Sequence, residues 1–290
     1  MERITRNVFA ETAFRGCNPG FIITGQGVVM IDTPQRPSDA IKWKDEITKY
    51  GQPLYIINTE NHQDHITGNA FFPIPVIAHQ GTKDLFSMSL GSMEELKQRI
   101  QEIDPDGLHL MENYQPNPPT ITFTHRLTLY LAEHIIELIH LPGHTPNEIA
   151  VYIPNEKVVF TGDNVFNNIQ VFLHQAKPKE WLNSLEVIKN MEIDHIVPGH
   201  GEVCGKEVLG PMGEYIEMYM GEMQKAIDAG MEKEEVIEKI CGMESLYQRP
   251  LPPGIEAYIH MIKRMMAERV YEDLSALPAA GRRQAGLTIL

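Results

Sequence analysis

The chain has 290 residues, 42% of them hydrophobic and 22% charged, which is the balance of a globular protein rather than a disordered one. That length suits one large domain, or a domain with a substantial appendage. A formal net charge of −14 disfavours nucleic acid as the main partner, because phosphate binding needs a basic face. The pair Arg282-Arg283 is too small a basic patch to change this and reads as a solvated tail.

Three cysteines, Cys17, Cys204 and Cys241, are widely spaced and form no CxxC pair. They argue against a disulfide framework and a thiolate zinc cluster, and for a reducing cytosol. The first residues carry no apolar segment of a secretion signal, and no run of about 18 apolar residues predicts a membrane span. The expected location is cytoplasmic.

In chain order, residues 7–34 read as strand-rich, with Gly20-Phe-Ile-Ile-Thr and Gly27-Val-Val-Met-Ile-Asp32 flanking a Gly-Gln-Gly hairpin signal. Residues 37–50 have a helical start, with apolar positions at Ile41, Trp43, Ile47 and Tyr50. The apolar run 53–58 predicts a buried strand and completes a β-α-β unit. A short strand is expected at 75–78, helix over 82–103 and a proline-rich loop over 104–120. Strands recur at 120–124, 127–132, 135–140, 149–153 and 157–161, then helix at 178–191 and strand at 194–197. Strand-rich and helix-containing blocks occur twice, as in a layered α/β sandwich. Beyond about residue 205 the pattern is helical only, over 211–229, 232–241 and 254–275, rich in Met, Glu and Lys.

Directly after strand 53–58 stands Glu60-Asn-His62-Gln-Asp64-His65, four metal-ligand types within six residues. Imidazole suits zinc and iron, and carboxylate adds charge and can bridge. Four more segments share the form of a strand followed by a turn bearing a polar residue. They are Ile31-Asp32-Thr33, Leu141-Pro-Gly-His144-Thr, Thr161-Gly-Asp163-Asn and Val197-Pro-Gly-His200-Gly.

The order and spacing of these five motifs, over residues 7–205, resemble the metallo-β-lactamase-fold superfamily. The resemblance implies a mixed α/β (α+β) fold, a four-layer αβ/βα sandwich with the site along one edge. Residues 1–205 would form that domain, and residues 206–290 a C-terminal helical extension. It also implies two adjacent divalent ions, zinc first, with manganese or iron as alternatives. His62 and His144, with the residue at position 60, would hold one ion. Asp64, His65 and His200 would hold the other, with Asp163 bridging. Asp32 supports a ligand rather than binding metal in such proteins.

Glu60 departs from the family's His-x-His-x-Asp-His pattern. A Glu reaches as far in bonds from Cβ as the distal imidazole nitrogen, so Glu60 is carried as a ligand, with a salt-bridge role beside a single ion as the alternative. A third carboxylate makes the ligand shell neutral when two divalent ions and a hydroxide are counted. It predicts a weaker pull on anionic substrates, a less acidified water and a tilt toward Mn²⁺ or Fe²⁺.

The remaining loop histidines (His79, His109, His125, His134, His140, His174 and His195) are assigned no role. His260 on a C-terminal helix and the Tyr215, Tyr219 and Met pattern are read as structural, and Cys17 as a small buried hydrophobe. Without a Ser or Cys nucleophile beside a base, the expected nucleophile is a metal-bound hydroxide, with Asp64 and Asp163 as catalytic carboxylates.

The expected reaction is hydrolysis of an ester, lactone, thioester or amide in a small substrate. The Met, Leu, Phe and Tyr content of 82–120 and of the appendage suggests a largely apolar one. Partners are then the small-molecule substrate and, left open, a second copy of the chain, with no nucleic acid and no membrane. Two other classes stay open: a mononuclear iron sulfur dioxygenase-type oxidoreductase, and a binding protein with a degenerate site.

Overall fold

The computed structural model describes residues 1–251, 255 and 258–276. Arg282-Arg283 and the first turn expected for the last helix (254, 256 and 257) lie outside them. Two compact units are present. The first comprises Met1–Leu141, Asn147–Asn167 and Met191–Lys206, and the second Pro142–Pro146, Asn168–Asn190 and Glu207–Leu290.

The first unit holds a seven-stranded sheet in simple chain order: β1 (Glu2–Arg3), β2 (Val8–Ala10), β3 (Gly20–Thr24), β4 (Gly27–Ile31), β5 (Pro53–Ile57), β6 (Val76–His79) and β7 (Ile121–Phe123). β1 to β4 pair antiparallel and β4 to β7 parallel. A five-stranded sheet contains β8 (Arg126–Leu131), β9 (His134–His140), β10 (Ile149–Ile153), β11 (Val158–Phe160) and β12 (His195–Val197), antiparallel except for the parallel pair β11–β12.

The apolar runs of the first sheet follow from burial on both faces. Side chains alternate across a strand. Val8, Ala10, Ile22, Val29, Ile31 and Ile57 therefore meet Ile136, Leu138, Ile149, Val151 and Phe160 of the second sheet. Phe9, Phe21, Val28, Met30 and Ile56 face the other way, onto Ala40, Trp43 and Ile47 of α1 (Pro37–Ile47). Helix α1 stops at Ile47, shorter than the expected 37–50.

The stretch expected as one helix over 82–103 is two, α3 (Gln80–Leu90) directly after β6 and α4 (Met93–Ile103); the single turn α2 (Gln63–Ile66) follows β5. The break is local chemistry. Gly91 takes φ +73, and Ser92 with Glu95 forms a reciprocal capping box that starts α4. Phe86, Leu90, Leu96, Ile100, Met111 and Tyr114 pack on one another and on Ile66. The apolar content of this segment is thus largely core.

The second unit contains α5 (Pro178–Asn190), α6 (Leu209–Asp228), α7 (Lys233–Cys241) and α8 (Ile259–Ser275), with α6 touching each of the others. Leu209, Met212, Ile216, Tyr219, Met223 and Ala226 recur at helical spacing along α6 and are buried. That pattern is core packing, as the spacing predicts. His260 is exposed on α8. Among the described residues, none of the three cysteines forms a disulfide. Among the described residues, no helix is long and apolar enough to cross a membrane.

Candidate metal centre

Parallel pairing gathers the ligand-type residues. β4 and β5 run side by side and end together at Ile31 and Ile57, so Asp32 and the Thr59–His65 turn leave from one sheet edge. β11 and β12 end together at Phe160 and Val197, which releases Asp163 and His200 in the same way. Carboxyl ends of parallel strands are where open α/β sheets build sites.

Asp32 anchors His65. Its carboxylate lies 2.8 Å from His65 Nδ1 and accepts from the Thr59 backbone N–H at 2.8 Å and the Thr59 hydroxyl at 2.6 Å. His65 Nδ1 is therefore the protonated nitrogen, and Nε2 points to the remaining acids. That atom is 3.3 Å from Asp163 Oδ1 and 3.4 Å from Glu60 Oε1. His62 Nδ1 is 2.7 Å from Glu60 Oε2. His200 Nε2 is 3.3 Å from both Asp64 Oδ2 and Asp163 Oδ1, and its ring stacks on Phe166.

Two ligand clusters result within the first unit. Asp64, His65 and His200 each offer an atom within 4.8 Å of the others, and so do Glu60, His62 and Asp163. Metal–ligand bonds of about 2.0–2.2 Å at tetrahedral angles separate donor atoms by about 3.3–3.6 Å, which matches the contacts of His65 and His200. The decisive atoms belong to Glu60. It is fully buried and faces imidazole nitrogens, His62 Nδ1 at 2.7 Å from Oε2 and His65 Nε2 at 3.4 Å from Oε1; among the described residues, Oε1 and the buried His65 Nε2 make no hydrogen bond. A buried charge without hydrogen bonds is costly unless a cation meets it. The donor set therefore fits divalent metal.

Electrostatics agree. Burial pushes the Glu60 carboxyl up, against the pull of His62 and His65. Burial pulls His200 down, but Asp163 and Asp64 outweigh it and raise the ring to about 10. His65 is likewise raised well above the histidine range, against burial, by neighbours that include Asp32, Asp163 and Glu60. Asp64 and Asp163 are held low by histidines, burial notwithstanding. The pocket attracts positive charge, as protons or as metal.

His144 belongs to the second unit, on the turn Pro142–Pro146 whose ends join first-unit residues. Its Nδ1 donates to the Phe172 carbonyl at 2.9 Å, which leaves the lone pair on Nε2. His174 sits beside it, the ring centroids 5.5 Å apart and a nitrogen of each within 4.8 Å of the other. From sequence alone His174 is a lone loop histidine with no assigned role. Glu148 carries no local motif in the sequence, yet it is fully buried, accepts the Asp163 backbone N–H at 3.0 Å, and is raised well above the carboxylate range by burial and then by Glu60. Cys17 lies beside Asp32 and His65 with its thiol pushed up by burial, so it stays a thiol.

Comparison with known proteins agrees with this geometry. Residues 12–200 match the metallo-beta-lactamase superfamily. A hydroxyacylglutathione hydrolase of Pelagibacter ubique is 27% identical over 180 residues, covering 60% of this chain and 62% of that protein. A linear primary-alkylsulfatase of Pseudomonas is 25% identical over 151 residues, 48% of this chain and 27% of that protein. A beta-lactamase-like protein 2 homolog of Caenorhabditis elegans is 31% identical over 101 residues, 35% and 33% of the two chains. The chain thus matches less than two thirds of the length of each of these relatives. A metallo-beta-lactamase from Pontibacter korlensis shares the fold with TM-score 0.59 at 18% identity, over 74% of this chain and 97% of that one. With a family match across most of its length and the two-sheet sandwich beneath it, the chain belongs to the metallo-β-lactamase superfamily.

Proposed function

We propose that the chain is a two-metal hydrolase, cutting an ester, lactone, thioester or amide bond in a small substrate. In this reading Glu60, His62 and Asp163 hold one ion, with His144 added by the family resemblance. Asp64, His65 and His200 hold the other, and Asp163 is shared. Divalent ions bound there supply Lewis acidity and a water acidified toward neutral pH.

The protein's own part is positioning. Asp64 and Asp163 stay ionised beside their histidines, so they orient the nucleophile by accepting its hydrogen bond and pass its proton toward the leaving group. Asp32 holds His65 in the tautomer that presents Nε2. With Glu60 in place of an imidazole, the shell carries one negative charge more than the family pattern, which favours substrates without net negative charge. The three cysteines, which form no disulfide among the described residues, are the support for a cytosolic location.

The observation that carries the reading is Glu60, a fully buried carboxylate set among the ring nitrogens of His62 and His65 with no hydrogen bond to its Oε1 among the described residues. The test is metal-dependent turnover of a panel of lactones, esters, thioesters and amides, beside Glu60→His. The variant should shift metal preference toward zinc and move the pH–rate profile to lower pH. Unchanged preference and profile would remove Glu60 from the metal set.

A second reading rests on Asp64, His65 and His200. Two imidazoles and one carboxylate are the set used by non-haem iron oxygenases. One iron per chain together with oxygen uptake would select it over the hydrolase.

A further inference from the structure

Two ligand-bearing turns, far apart in sequence, are tied to the same short segment at the head of β10. The Asn147 side-chain amide donates to Asn61 Oδ1 at 2.8 Å and to Thr82 Oγ1 at 2.8 Å. Asn61 in turn donates to Ser89 Oγ at 2.7 Å, so the residue between Glu60 and His62 is clamped from Asn147 on one side and α3 on the other. The next residue, Glu148, accepts the Asp163 backbone N–H at 3.0 Å. The one after it, Ile149, donates its backbone N–H to Thr59 O at 2.9 Å. Asn147 and Glu148 are both essentially inaccessible to solvent.

The space around these contacts is filled. A Cβ on Gly162 would lie 2.2 Å from Glu148 Oε1, and one on Gly81 would lie 2.9 Å from Asn147 Cβ. Both glycines admit the bracket residue at close range. A fully buried carboxyl that accepts a backbone amide holds the turn bearing that amide in place.

We propose that Asn147 and Glu148 are positioning residues: together they set the Glu60–His62 turn against the Asp163 turn, and so fix the spacing of the ligands that the metal reading above assigns. The inference rests on that reading for its purpose, but its geometry can be tested without metal. Asn147 acts as a donor and Glu148 as an acceptor, which makes their substitutions distinguishable.

The test uses the full chain with Asn147→Ala, Glu148→Met and Glu148→Gln. Amide hydrogen exchange is followed in the metal-free protein, and Zn²⁺ affinity by competition with a chromophoric chelator. Asn147→Ala should speed exchange selectively across 59–62, and Glu148→Met selectively across 161–165. Each should weaken Zn²⁺ binding about 10- to 100-fold, the usual loss when a ligand's support is removed. Glu148→Gln keeps an oxygen facing the amide and should restore affinity to within about threefold of the parent.

Should the Met variant not fold, Glu148→Asp, which draws the acceptor back by one carbon, carries the same expectation. Exchange that rises uniformly, or Glu148→Gln behaving like Glu148→Met, would overturn the bracket. A parent chain that binds no Zn²⁺ contradicts the metal reading instead, and the segment-specific exchange then decides the bracket alone.

Discussion

Replacing Asp32 by Asn keeps shape and removes one charge. In the parent, one oxygen accepts the Thr59 N–H, while the other faces both the Thr59 hydroxyl and His65 Nδ1, at 2.6 and 2.8 Å. With an amide nitrogen in that second place, the hydroxyl can rotate and accept, but His65 Nδ1–H then meets a donor. The ring answers by moving its proton to Nε2, the atom that faces Glu60 and Asp163. Metal-free stability should fall by less than metal affinity, because the ring can adapt in this way although it also loses one of the acids that favour its protonated form.

Metal binding cannot use that escape. It needs the lone pair on Nε2 and so restores the clash, losing a charge-assisted hydrogen bond worth about 1.5–3 kcal/mol. Asp32→Asn should therefore weaken Zn²⁺ binding about 10- to 150-fold. Chelator competition measures the affinity and urea titration of the metal-free chain measures the stability. Equal affinity in parent and variant would refute the role given to Asp32. So would a loss of stability as large as the loss of binding, since Asp32 would then be only a fold element.

Gly162→Ala places a side chain at φ +51 with its Cβ 2.2 Å from Glu148 Oε1 and 2.7 Å from Thr59 Oγ1. The left-handed backbone costs about 1–2 kcal/mol and the overpacking about 1–3 kcal/mol. A loss of stability below about 1 kcal/mol in urea would contradict the packing described. His79 caps α3, its Nδ1 accepting the Gly81 N–H at 3.0 Å while Nε2 donates to Thr124 O at 3.0 Å. Burial lowers its pKa, and His140, stacked at 4.1 Å, and His125 add to the effect while Asp84 opposes it. The neutral ring is the folded form. Its contribution is complete above the unfolded value of about 6.5 and is lost as pH falls through the lower folded value. Between pH 7.5 and 5 the parent should lose stability that His79→Asn, a residue that caps without titrating, does not lose. Parallel pH profiles for the two would rule this out.

Much of this architecture was legible in the chain. Continuous apolar strands such as Gly27–Ile31 announced burial on both faces, and strands ending in Asp32, Glu60–His65, Asp163 and His200 announced one edge. The break between α3 and α4 was legible too: Gly91 followed by Ser92-x-x-Glu95 is a stop and a start, hidden by the helical periodicity on either side. What local pattern could not reveal was contact across sequence distance. Glu148 looked like any polar residue beside a strand until the fold set it against the Asp163 amide. His174 lies in an irregular segment, and only the fold brings it beside His144.

The central claim is that Glu60 is a metal ligand in a two-ion site, and metal content tests it most directly. The chain, purified without added metal or chelator, should carry two equivalents of divalent metal, and Glu60→Ala should carry one. Two equivalents in the variant would remove Glu60 from the site, and one or none in the parent would contradict the two-ion account.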